Sequence, residues 1–171
     1  MTETHDSFDT QATITLAETL LAQYFNTGIH LSADQRFDSP HLVLRCLLDN
    51  PTDELPTSVI LKQMSVSDSR NDQQPTIFLN EWASLQFLSE LSPHKPLAPR
   101  LYCADHDSRL IILQDLGDHP IVQDILLGND SHRAESALTR YGAYLGELHG
   151  ATIGKETRFR EIQADLGAES P

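Results

Sequence analysis

Cysteine, aromatic residues and basic residues are all scarce in this sequence of 171 residues. The two cysteines, Cys46 and Cys103, are too few and too far apart to predict a disulfide framework or a metal cluster. We therefore expect two buried free thiols in a reducing compartment. Aromatic residues make up 6% and apolar residues 39% of the chain, which predicts a globular protein with a modest core.

Basic residues are outnumbered by acidic ones, 12 against 25, which gives a net charge of −13. This charge argues against nucleic acids and anionic membranes as partners, because phosphate backbones and lipid headgroups repel it. No apolar run approaches the ~18 residues of a membrane span, and the first residues lack the basic start of a signal peptide. These absences predict a cytoplasmic protein that binds neither nucleic acid nor membrane.

One strand and the helix after it organise the sequence. Residues 57–64 form a β-branched and aliphatic run, which predicts a strand with a lone lysine, Lys62, near its end. Between residues 77 and 91, apolar residues recur at helical spacing. Glu81 falls in the middle of that apolar stripe, where a carboxylate is partly desolvated and needs a cation. Lys62 is the natural candidate; the alternative interpretation is that both side chains are solvated.

The wider pattern predicts an α+β fold. Four strands are predicted, at 42–48, 57–64, 100–104 and 110–114. They would form an antiparallel sheet, with the helix at 77–91 packed on one of its faces. Residues 29–41 are ambiguous and would hold a short strand and a turn. Beyond residue 118 the periodicity is helical only, so we divide the chain into an N-terminal lobe at 1–113, a hinge at 114–118 and a partial helical lobe at 119–171.

Five short motifs resemble the beginning of the aminoglycoside-phosphotransferase and choline-kinase family, whose members are small-molecule kinases with a protein-kinase-like fold. The motifs are Ser58–Lys62, Asn80-Glu81-Trp82-x-x-Leu85-x-x-Leu88, Pro99–Tyr102, Leu110–Gly117 and Leu145–Gly150. Each motif is short, and their order and spacing carry the resemblance, which covers residues 42–150. It implies a kinase-like N-lobe, an antiparallel sheet with one packed helix, followed by a hinge and the first helices of an all-α C-lobe.

By this resemblance the chain would bind ATP. Lys62 would contact the α- and β-phosphates, and Glu81 would orient it. The family covers the phosphates with a loop rich in glycine and serine between its first two strands. Here that loop would fall at 33–41, which has no glycine to let the backbone approach a phosphate. Asp34 and Asp38 in this segment would repel one.

The resemblance also implies where the base of the nucleotide would lie. The main chain around Gln114, Asp115 and Leu116 would hydrogen-bond the adenine edge. The apolar side chains of Ile60 and Leu113 would wall the base. The alternative for Leu113 is a simple core position, because a buried strand needs such a residue in any case.

The catalytic half of the family's pattern does not occur in the 171 residues. Family members carry a His-Gly-Asp, with an Asn five residues after the Asp, and a metal-binding Asp further along. No His-x-Asp followed by Asn at that spacing is present here. We therefore expect no catalytic residue and no metal ligand in this chain, and we expect the chain alone to be inactive. Mg²⁺ and a small-molecule acceptor would bind only with a complementing C-lobe polypeptide.

Three hypotheses about function stay open at this point. The first is the nucleotide-binding portion of a small-molecule phosphotransferase. The second is a non-catalytic module, derived from a kinase, that binds a partner. The third is an unrelated acidic α+β interaction protein, in which Lys62 and Glu81 form only a structural ion pair.

Overall fold

The computed structural model of the protein describes residues 8–65, 74–92 and 95–168. Its helices are α1 (Thr10–Phe25), α2 (Gln74–Leu91), α3 (Val122–Leu127), α4 (Ser131–Thr152) and α5 (Glu156–Asp165). Its strands are β1 (Leu31–Arg36), β2 (Leu42–Leu48), β3 (Ser58–Gln63), β4 (Leu101–Asp105) and β5 (Leu110–Gln114). Strands with one inserted helix are followed by helices alone, which confirms the predicted α+β class.

The five strands form one antiparallel sheet in the order β1-β2-β3-β5-β4. All four strands predicted from the sequence are present, and the predicted antiparallel pairing is confirmed. β1 is an additional edge strand within the ambiguous region at 29–41. Only Leu31 among its residues is buried, so the strand has no apolar alternation that a sequence pattern could reveal.

α1 covers one face of the sheet. Side chains along a strand alternate between the two faces, so every second residue of β2, β3 and β5 points toward α1. The buried cluster on this face comprises Ile14, Ala17, Leu21, Ile29, Leu31, Leu42, Leu44, Cys46, Leu48, Val59, Leu61, Leu110 and Ile112. Asp9 fixes the start of the helix, because its carboxylate accepts a hydrogen bond from the Ala12 amide at 3.0 Å.

α2 packs on the opposite face of the sheet, as the sequence predicts. Phe78 and Leu85 of the helix lie in one buried cluster with Met64 and Ile111 of the sheet. The helix begins at Gln74, before the predicted start at residue 77. Its first turn, Gln-Pro-Thr, carries no apolar residue, and the apolar periodicity therefore marks the packed part of the helix and not its true beginning.

α5 packs against the outer side of α2. Ala83 and Phe87 of α2 are buried together with Ile162 of α5. A hydrogen bond of 2.6 Å joins the side-chain amides of Gln163 and Asn80. The end of the chain segment at 119–171 therefore contributes to the core around α2.

α3 and α4 contrast with the other helices because neither has a buried side chain. α4 meets residues from before the hinge through Tyr144, whose hydroxyl donates to the Leu97 carbonyl, and through a 2.6 Å ion pair between Lys95 and Glu147. Large apolar side chains on the two helices stay in contact with solvent, among them Leu127. Even so, none of the helices in the described ranges is both long enough and apolar enough to cross a membrane.

Candidate functional site

An ion pair between β3 and α2 lies at the centre of the candidate site. The Lys62 ammonium is 2.6 and 2.7 Å from the two carboxylate oxygens of Glu81. About a quarter of each side chain is exposed, 26% for Lys62 and 28% for Glu81. The predicted proximity of the two residues is confirmed, and so is the partial desolvation of Glu81. The carboxylate holds the ammonium in one orientation while leaving part of it accessible to an anion from solvent.

The strand register places apolar side chains beside this pair. Val43 pairs with Lys62, and Ile60 pairs with Leu113. Because side chains two residues apart share a face, Val43, Ile60 and Leu113 lie on the face of Lys62. All three are only partly buried, whereas Leu61 on the α1 face is completely buried. Leu113 also packs against the buried cluster between α2 and the sheet, so it contributes to the core.

The segment after β5 leaves main-chain groups available. The Gln114 amide donates to the Arg100 carbonyl at 2.8 Å and is therefore occupied by β4. The main chains of Asp115 and Leu116 form no backbone hydrogen bond to any residue that the structure describes. Gly117 then turns the chain with a φ of +79°, in the left-handed region that glycine adopts without strain. Two of the three predicted hinge residues can thus offer main-chain groups to a ligand.

Arg45 links β2 to the segment that follows β5. Its side chain leaves β2 on the Lys62 face, opposite Ile60 in the strand register, and is 11% exposed. Its Nη1 donates a hydrogen bond of 2.7 Å to Asp118 Oδ1. Its Nε lies 2.8 Å from Asp115 Oδ2, but this contact is an ion pair only, because its geometry does not fit a hydrogen bond. The guanidinium also sits over the ring of Phe37, 5.6 Å from its centroid, within cation–π range. The arginine thus joins β2, the β1–β2 connection and the segment that follows β5.

The Asp115 carboxylate is the most enclosed acid of this group, with 7% of its side chain exposed. Burial alone raises the pKa of this carboxylate. Hydrogen bonds from the Gly117 amide and the Ser58 hydroxyl, both 2.8 Å long, lower the pKa, and so does the Arg45 charge. Together they outweigh the effect of burial. The net result is a pKa below the ordinary value, so the carboxylate stays ionised. The carboxylate therefore ties the segment after β5 to Ser58 and Arg45.

Sequence reasoning missed Arg45 as a site residue. The available signal was a single arginine in the otherwise aliphatic run Leu42–Leu48, since a charge buried in a strand requires a partner. Asp115 was predicted to contribute its main chain, and the structure adds a role for its side chain that spacing does not show.

The connection that would cover a phosphate is shorter than the predicted 33–41. β1 extends to Arg36, so the connection consists of residues 37–41. Asp34 lies at the bulge where the β1–β2 register shifts. Burial, with a contribution from Asp34, raises the pKa of the Cys46 thiol, which faces α1, to about 11. The thiol is therefore protonated at neutral pH.

His41 ends this connection and lies close to the ion pair. Burial and the Lys62 charge lower the pKa of its imidazole, and the Glu81 charge opposes that shift. Its Nδ1 is buried and has no hydrogen-bond partner among the described residues. Within the same residues, no three side chains of His, Cys, Asp or Glu are grouped as a metal site requires.

Comparisons with known proteins assign the chain to no family. None of the models of known protein families matches the sequence. No curated protein is significantly similar to it. The function of the site is therefore inferred from its geometry and from the resemblance of its motifs.

Proposed function

We propose that the chain is the N-terminal, ATP-binding portion of a small-molecule phosphotransferase similar to the aminoglycoside-phosphotransferase and choline-kinase family. The observation that carries this proposal is the ion pair between Lys62 of β3 and Glu81 of α2, with the ammonium 2.6 Å from the carboxylate. In kinase-like folds, a strand lysine held by a glutamate of the next helix contacts the α- and β-phosphates. Lys62 would take that role, and Glu81 would orient it.

The surroundings of the ion pair support a site for the base of the nucleotide. Ile60 and Leu113 form an apolar surface on the same face of the sheet as Lys62. The main chain of Asp115 and Leu116 lies at the end of β5 with its polar groups free of backbone partners in the described part of the chain. In this proposal the two apolar side chains wall the base, and the hinge main chain hydrogen-bonds its edge.

The helices after the hinge support a requirement for more polypeptide. α3 and α4 bury no side chain, and apolar groups such as Leu138 and Tyr141 are about half exposed. Burying such groups against a second surface is favourable by ~25 cal/mol per Å². We propose that a complementing C-lobe polypeptide covers this surface and contributes the catalytic aspartate and the Mg²⁺ ligand. The small-molecule acceptor would bind to that completed lobe.

The second candidate is a non-catalytic module that binds a partner. The glycine-free connection at 37–41 favours it, because backbone amides approach a phosphate most closely at glycine. The exposed apolar side chains of α3 and α4 favour it as well, since such surfaces mark interaction sites. This candidate predicts a folded protein without affinity for nucleotides.

A titration with ATP separates the two candidates. The single tryptophan, Trp82, follows Glu81 on α2 and can report binding by its fluorescence. We expect saturation in the wild type and a dissociation constant at least about tenfold higher in Lys62→Ala, a loss of about 1.4 kcal/mol. Lys95→Ala is the matched control, because Lys95 forms an ion pair of the same length with Glu147 away from β3. No saturation by the wild type, or equal affinity in Lys62→Ala, would contradict the proposal.

A further inference from the structure

His41 lies close to the ion pair of Lys62 and Glu81. It directly precedes β2, in which Val43 is the register partner of Lys62. The charges of Lys62 and Glu81 both act on its imidazole. The imidazole is therefore near the lysine that the proposed function places at the phosphates.

The imidazole has no hydrogen bond that would fix it. Neither ring nitrogen of His41 bonds to any residue in the described ranges, and Nδ1 has no exposed surface. The backbone amide of His41 donates to the Ser39 hydroxyl at 3.2 Å, which holds the main chain but not the ring. Rotation of the ring therefore breaks no protein hydrogen bond. A buried nitrogen without a partner is unfavourable until a ligand supplies one.

The charges near His41 affect whether its imidazole is protonated when an anion binds. The charged groups that act on it are Lys62 from β3 and Glu81 from α2, and these neutralise each other as an ion pair. Its pKa is below the ordinary value of 6.5, mainly through burial, so the ring is neutral at pH 7. An anion nearby favours the protonated ring and raises that pKa. The connection at 37–41 has no glycine, so its backbone amides cannot approach a phosphate as closely as those of a glycine-rich loop.

We propose that His41 and Lys62 together form the anion-binding end of the site, where the imidazole of His41 donates a hydrogen bond to a phosphoryl oxygen of the ligand. This rests on the proposed function for the identity of the ligand as a nucleotide. The anion site itself requires only a polyphosphate. Binding then takes up a proton on His41, and affinity increases as the pH falls from about 8 to about 6.

Calorimetric titrations with adenosine, ATP and inorganic tripolyphosphate test this inference. Each ligand is titrated into the full chain at about pH 6 and about pH 8, for the wild type, His41→Gln and His30→Gln. His30 is the matched control because its side chain is 77% exposed. When the pH is lowered from about 8 to about 6, the affinity of the wild type for tripolyphosphate should rise about three- to tenfold more than the affinity of His41→Gln does. Ionisation of the ligand itself cancels in this comparison, and adenosine should show no such gain.

A second measurement needs no substitution. Nuclear magnetic resonance of the His41 imidazole in the wild type should show its pKa rising when tripolyphosphate is added. ATP binding with the same pH dependence in His41→Gln, together with an unchanged imidazole pKa, would overturn the inference and leave the proposed function standing. Tripolyphosphate binding that depends on His41, without any binding of ATP, would support the anion site and contradict the nucleotide. Failure of all three ligands to bind would contradict both.

Discussion

At the scale of single residues, two ion pairs with different surroundings define the site. Lys62 and Glu81 are each about one quarter exposed, while Arg45 and Asp115 are 11% and 7% exposed. The loss of one partner costs more as the pair becomes more enclosed, because the remaining charge is left without water or a counterion. The two pairs should therefore respond differently to substitution.

Replacement of Glu81 by alanine should destabilise the protein by about 1–3 kcal/mol. This lies between the loss of at most ~1 kcal/mol for a surface pair and ~3–5 kcal/mol for a fully buried one. Urea unfolding monitored by circular dichroism measures the difference. The matched control is Glu147→Ala, which removes the partner of Lys95 from an exposed pair and should cost less than ~1 kcal/mol. Equal losses in the two variants would place Lys62 and Glu81 on the surface and weaken their proposed role.

Replacement of Asp115 by asparagine should lower stability at pH 7 by about 1.5–3 kcal/mol, because hydrogen bonds to a charged group are lost. The folded-state pKa of Asp115 is below its ordinary value of 3.8, so ionisation stabilises the fold above that pH. As the pH falls through 3.8 toward the lower folded-state pKa, this advantage of the wild type should disappear. Unfolding curves at several pH values measure it.

Asp118→Asn is the control for that experiment, since Asp118 contacts the same arginine but its side chain is 87% exposed. Its substitution should cost less than ~1 kcal/mol at pH 7. A larger effect at Asp118 than at Asp115 would show that the hinge is held from the surface.

The sequence predicted Lys62 and Glu81 because each violates a local pattern: a lysine in an aliphatic strand and an acid in an apolar helical stripe. Arg45 violates its strand pattern in the same way, but its partners lie 70 and 73 positions further along the chain. His41 has no local irregularity at all. It lies in the connection before β2, and its nearness to Lys62 and Glu81 arises from tertiary structure that periodicity does not show.

At the scale of helices and strands, the predictions succeeded where one face is buried. β2, β3, β5 and α2 have strong apolar patterns because they supply most of the core. β1 is exposed along most of its length, so the sequence indicates only a short strand somewhere within 29–41 and not its bounds. The apolar periodicity of α2 begins only at residue 77, so the sequence does not mark the start of the helix at Gln74.

Burial also predicts the relative stability of the helices. α4 has no buried side chain and is capped by Asp130, whereas α2 is packed on both the sheet and α5. Local opening is easiest where few apolar contacts must be broken. Amide hydrogen exchange followed by mass spectrometry should therefore be clearly faster in 131–152 than in 77–91. Equal protection of the two helices would mean that the surface of α4 is already covered in solution.

At the scale of the whole molecule, charge and composition limit what the chain can do. A net charge of −13 opposes the approach of a polyphosphate, and Lys62, the cation proposed to contact the phosphates, is itself paired with Glu81. We therefore expect ATP to bind with a dissociation constant no tighter than about 100 µM, equivalent to about −5.5 kcal/mol. A submicromolar constant would show that other groups contribute to the site.

The 171-residue polypeptide, assayed alone, should transfer no phosphate at a useful rate. Phosphoryl transfer depends on positioning and on charge neutralisation by Mg²⁺, and the sequence contains no His-x-Asp with the Asn five residues later. The assay mixes the purified chain, Mg-ATP and a panel of amino-alcohol and aminoglycoside acceptors, and follows ADP release. Turnover that disappears in Lys62→Ala would reveal a catalytic base elsewhere in these residues.

Amide chemical-shift mapping during an ATP titration examines each residue separately, and so tests whether the face of the sheet bearing Lys62 binds a nucleotide. We expect shifts concentrated at Lys62, at Asp115 and Leu116, and along residues 37–41. Shifts confined to α1 or to the surface of α3 and α4, or no shifts at millimolar ATP, would contradict it.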